Sequence, residues 1–131
     1  MNQRDDLGEK TPGDWLGVVR QGEDWGFLAC YGQGGSVCDR VPTPLAVLDT
    51  HAAAGGVAVV PAALQSVLGK AALVAEWQTG VVKKADLESS GSRASTVLTG
   101  FSNPLPLVAT PDGAVLVGDW STGVVYRIAA T

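Results

Sequence analysis

Residues 71–82, AALVAEWQTGVV, return at 114–125 as AVLVGDWSTGVV. A chain that restates one pattern this closely builds one local unit twice. The shared skeleton is Leu, Val, Trp, Thr, Gly, Val, Val. Each copy opens with an apolar run, Leu73-Val74-Ala75 or Leu116-Val117-Gly118, that suits a strand buried on both faces. A polar turn ending in Gly80 or Gly123 then reverses the chain into a second strand. Glu76 and Asp119 precede the two tryptophans at equivalent positions, which suggests a structural duty such as accepting turn N–H groups, with a channel-facing carboxylate as the alternative. Trp77 and Trp120 are expected to pack between neighbouring units, with sugar stacking as the second reading.

The copies lie about 43 residues apart, inside the ~40–50 residues of β-propeller blades. The expected fold is therefore all-β: a partial β-propeller of about two and a half four-stranded antiparallel blades, an incomplete ring. Residues 1–50 read as the later strands of one blade, 51–101 as a complete blade, and 102–131 as the first three strands of the last. An open arc leaves blade faces and strand edges bare, so self-association through them is expected.

Composition supports strands and turns. Only 17% of residues are charged and 17 are Gly, whereas helices at this length call for more Glu, Lys and Leu. A net charge of −4 with scattered Lys and Arg argues against nucleic acid as a partner. No apolar run approaches the ~20 residues of a membrane span. The polar, acidic opening MNQRDDLGEK is not a secretory signal. Cys30 and Cys38 flank a Gly-rich loop, and that spacing favours a disulfide over two unpaired thiols. No second Cys or His pair completes a zinc site. A disulfide points to an extracytoplasmic compartment for the full-length protein.

Taken in order, residues 1–14 read as a loop, and 14–19 and 24–29 as short strands. Residues 45–48 read as an edge strand behind Pro42 and Pro44, 55–60 as a strand, and 62–68 as a helical turn. After the first hairpin come a Ser/Gly linker at 89–92, strands at 95–99 and 105–109, and a tight turn at Pro111-Asp112-Gly113 before the second hairpin. Lys83-Lys84 reads as an exposed strand edge.

These segments carry a family likeness. EDWGFLACYG, PLAVLDTHAAAGGVAV and NPLPLVATPDGAVLVGDWSTGVVYRI, with the opening NQRDDLGEKTPGDWL, resemble in order the C-terminal part of the soluble quinoprotein glucose/sorbosone dehydrogenases. These are six-bladed propellers that bind pyrroloquinoline quinone (PQQ) and calcium. The resemblance implies oxidation of a sugar or polyol hydroxyl, with hydride passing to the quinone. It also places the catalytic base in an early blade, so no catalytic residue is expected in this chain and no turnover from it alone.

By the same resemblance, the cofactor-binding positions are His51, Gln78 and Asn103, and calcium meets backbone oxygens at Arg4 and Asp5. Gln78 and Asn103 stand where the family offers Lys and Arg, and a neutral amide does not replace a buried cation opposite carboxylate. His51 reads either as a channel-lining residue or as a hydrogen-bonded turn histidine. The alternative function is a non-catalytic carbohydrate- or protein-binding propeller module with a decayed cofactor site. A third option is another propeller enzyme, such as a lactonase, whose metal carboxylates also lie upstream.

Overall fold

The computed structural model describes residues 12–30 and 35–131. They form three β-sheets, none of which closes on itself. The fold is all-β, with helix confined to short turns.

The first hairpin supplies the middle of the molecule. β4 (Ala71–Glu76) and β5 (Val81–Asp86) pair antiparallel with Ala75 opposite Val82. β3 (Ala54–Val59) joins the free side of β4, and β7 (Ser95–Leu98) the free side of β5. The result is a four-stranded antiparallel sheet. A 3-10 turn (Ala62–Leu64) and the four-residue helix α1 (Gln65–Leu68) link β3 to β4.

The second hairpin builds a three-stranded meander from β8 (Pro104–Ala109), β9 (Val115–Asp119) and β10 (Val124–Ile128). Both hairpins reverse in the same way. Gly80 and Gly123 share φ +70°, and their N–H groups donate back to the Glu76 and Asp119 carbonyls at 3.1 and 2.9 Å. A residue with a Cβ resists that conformation, which is why both turns end in Gly.

A third, small sheet combines β1 (Trp15–Leu16), β2 (Ala46–Val47) and β6 (Ser92–Arg93). β2 lies between antiparallel β1 and parallel β6.

Alternate residues of a strand point to opposite faces, so the four-stranded sheet is covered twice. Ala71, Leu73, Ala75 and Val82 face Leu107, Val115 and Val117 of the meander in one core. Val74 and Ala85 face Ala46 of β2 and the flanking Leu45 and Leu48 in a second. All six residues of β4 are buried. The meander approaches closely because Gly55 and Gly56 follow Ala54 in β3: a Cβ on Gly56 would lie 2.3 Å from the Leu107 nitrogen.

Several sequence expectations need correction. Residues 24–29 form no strand. The Asp24 carboxylate accepts the Gly26 N–H at 2.8 Å, Gly26 takes φ +77°, and its carbonyl accepts the Cys30 N–H at 2.8 Å, so the segment folds as turns. The strand expected at 14–19 shortens to two residues. The segment at 45–48 is no edge, because β6 flanks it. That pairing also turns the end of the expected 89–92 linker into strand. Lys83 is buried, since β5 runs inside the four-stranded sheet. The Cys30–Cys38 disulfide is formed.

Candidate functional site

In both larger sheets the first strand starts where the second ends: Ala54 lies opposite Glu76, and Pro104 opposite Asp119. The loops at these ends form one rim, residues 50–53, 77–80, 101–103 and 120–123. It holds all three residues singled out for cofactor binding.

Asn103 is the joint of the rim. Its side-chain Nδ2 donates to the Trp77 carbonyl at 2.9 Å, linking the loop of one sheet to the turn of the other. Its Oδ1 accepts the Ser121 hydroxyl, and its carbonyl accepts the Trp120 N–H at 3.0 Å. Gln78 is exposed at its side chain, while its backbone N–H donates to the Ala52 carbonyl at 3.0 Å. His51 is exposed in the same loop as Ala52 and takes the left-handed φ of +54°. The rings of Trp77 and Trp120 meet with centroids 6.2 Å apart and planes tilted by 56°. The expected packing between units therefore exists. It leaves Trp120 66% exposed, so this ring is a surface feature as well.

Three carboxylates lie beneath the rim, each almost wholly buried: Asp14, Glu76 and Asp119. Each holds the entry to a strand or turn. Asp14 accepts the first N–H of β3, from Ala54, at 3.2 Å. Glu76 accepts the Asp49 N–H at 3.2 Å and the Thr79 hydroxyl at 2.6 Å. Asp119 accepts the N–H groups of Ser102 at 2.7 Å and Asn103 at 3.1 Å. The repeated acids thus have the structural duty their equivalence implied.

Their titrations diverge. Burial pushes the Glu76 carboxyl above its ordinary value, with Thr79 and the Asp49 N–H pulling against it. Burial also acts upward on Asp119, but backbone donors from Ser102, Asn103, Thr122 and Ser121 outweigh it and hold this carboxyl below its ordinary value. The number of donors decides the sign.

Beside Glu76 lies an ion pair that the sequence did not reveal. The Lys83 ammonium meets the Asp49 carboxylate at 2.8 Å, and Arg93 reaches the other oxygen at 3.3 Å. The Lys83 contact, opposed by burial, holds Asp49 below its ordinary value. Repetition could not mark Lys83, because its counterpart in the second copy is Tyr126.

Among the described residues the rim therefore offers aromatic surface and the exposed Gln78 amide. A quinone bearing carboxylates asks for cations, and the donor set does not match. Gln78 is neutral, the Asn103 amide is engaged, and Lys83 and Arg93 pair with Asp49. Arg4 and Asp5, the expected calcium contacts, lie outside the described residues. Among the described residues, no three His, Cys, Asp or Glu side chains group to hold a metal ion, and no helix is long and apolar enough to cross a membrane.

No protein-family model, curated protein or solved structure matches the chain.

Proposed function

We propose that the chain is a segment of a β-propeller resembling the late blades of the quinoprotein sugar dehydrogenases. Its own contribution is to bind a neutral carbohydrate at the rim, without catalysing its oxidation. The propeller reading is supported by the stacking of a four-stranded sheet on a meander, joined through β3 and β8 and carrying the same hairpin turn. The disulfide supports an oxidising, extracytoplasmic setting.

The observation that carries the binding reading is the Trp77–Trp120 pair, exposed at Trp120, with the exposed Gln78 next to Trp77 in the chain. The C–H face of a pyranose packs on an indole, and its hydroxyls exchange hydrogen bonds with neutral amides. Carboxylates and cations at the rim would suit a charged ligand better.

Calorimetric titration with aldoses and short oligosaccharides tests this. Saturable binding that weakens at least about tenfold in Trp120→Ala, a loss of roughly 1.4 kcal/mol, is the expected result. Binding that Trp120→Ala leaves unchanged, or no binding, overturns it. Sugar turnover by the isolated chain with PQQ, calcium and a dye acceptor overturns the non-catalytic assignment.

A further inference from the structure

Beneath the rim, three groups that can react with one another are held in contact. Lys83 lies inside the four-stranded sheet, between Val74 of β4 and Thr96 of β7, with its side chain only 10% exposed. Its ammonium nitrogen meets Oδ2 of Asp49 at 2.8 Å, while Arg93 holds Oδ1 at 3.3 Å. Glu76, wholly buried at the end of β4, accepts the Asp49 N–H at 3.2 Å and is also hydrogen-bonded to the Asp49 carboxyl. Burial favours the acid form of Glu76, the form that can donate to that carboxyl. An amine, a carboxyl and a buried acid thus share one site.

An ion pair is an expensive occupant of such a site. Desolvation of the ammonium offsets much of its attraction to Asp49, and the pair carries two charges where an amide would carry none. We propose that Lys83 and Asp49 condense into an intramolecular amide, an isopeptide bond that ties β5 to the segment following β2. The reaction starts from the ion pair. One proton passes from the Lys83 ammonium to Oδ2, and the nitrogen lone pair attacks Cγ of Asp49. Arg93 faces Oδ1, the oxygen on which negative charge develops. Glu76 gives its proton to Oδ2 and takes one from the nitrogen, so it ends as it began. The Cγ–Oδ2 bond then breaks and water leaves. No oxidant or further reactant takes part.

In open solution the surrounding water drives such an amide back to its ions. Groups held in contact act at effective concentrations that reach roughly 10⁵–10⁸ M, far above that of the solvent, and this favours condensation. Asp49 keeps a third of its side chain exposed, which gives the released water a way out. The second copy has Tyr126 in the place of Lys83, so the repeat holds this site once. The chemistry uses no ligand at the rim, and its test is independent of carbohydrate binding.

Intact-mass spectrometry of the full chain, with its cysteines reduced and alkylated, tests the proposal. The expected mass is one water below that of the sequence, and fragment spectra should join Asp49 to Lys83. Lys83→Arg keeps a cation against Asp49 and should restore the full mass, as should Asp49→Ala. Glu76→Gln should retain the full mass over the time in which wild type loses water, given the ~10²–10⁴-fold contribution of a placed acid. Circular dichroism establishes that the variants fold, and the fragment spectra of wild type need no variant. The full sequence mass in the wild-type chain overturns the proposal. A loss of water that persists in Lys83→Arg also overturns it, because Asp112-Gly113 can lose water by closing to a succinimide. Loss at the wild-type rate in Glu76→Gln overturns the role given to Glu76.

Discussion

The side-chain amide of Asn103 donates to the backbone carbonyl of Trp77 at 2.9 Å, across the boundary between the two larger sheets. One residue thus fixes the register of the rim. Its Nδ2 holds the first hairpin turn, and its Oδ1 holds Ser121 of the second.

Asn103→Leu should therefore cost about 1–2 kcal/mol of stability, because it leaves the partly buried Trp77 carbonyl without its partner. The loss should appear in urea denaturation, and Trp77 indole resonances should shift while those of Trp15 stay in place. A neutral effect on both would remove Asn103 from this role.

Glu76 and Asp119 supply a prediction about acid. Asp119 has a depressed folded pKa, so its contribution is complete above the ordinary 3.8 and fades as pH falls through the folded value. Glu76 has a raised folded pKa, so its charge costs stability as pH climbs from the ordinary 4.5 through the folded value. Against wild type, Glu76→Gln should gain in relative melting temperature between pH 4 and pH 7. Asp119→Asn should lose at pH 7 and approach wild type below pH 3.8. Thermal melts across that range check both signs, and parallel curves for the two variants would contradict the opposed environments.

Gly56 sets how near the meander can come. A Cβ there meets the Leu107 nitrogen at 2.3 Å and the Leu105 oxygen at 2.6 Å, both backbone atoms that cannot rotate aside. Gly56→Val should cost about 3 kcal/mol or more. Loss of the Phe101–Tyr126 edge contact, now at 5.2 Å, should accompany it in nuclear Overhauser spectra. Wild-type stability in this variant would show that the sheets part without penalty.

The hairpins were legible because everything that makes them is local: an apolar run, a polar turn, and Gly at the position that needs positive φ. The same locality made the duty of Glu76 and Asp119 readable from their equivalence. The segment at 24–29 misled because its aromatic and apolar residues suit a strand, while the Asp24-to-Gly26 hydrogen bond closes a turn first. Lys83 misled for a different reason. A lysine in a strand reads as exposed, and only Asp49, 34 residues earlier and brought alongside by β3 and β4, makes its burial tolerable. The rim was half legible. Gln78, Asn103 and His51 do gather there, but the hydrogen bonds that occupy Asn103 come from residues no spacing connects to it. The outward face of β9 was misread in one respect: the copies have the same sequence pattern, yet β4 is buried at every residue while the outward residues of β9 are only partly buried.

The complete enclosure of β4 has a consequence for synthesis. One of its faces is covered by residues 45–48, made before it, and the other by residues 107–117, made after it. Until the later residues leave the ribosome, Leu73, Ala75 and Val82 lie open to water. The nascent chain is then most exposed to chaperones and to misassembly while its central strand awaits its second neighbour.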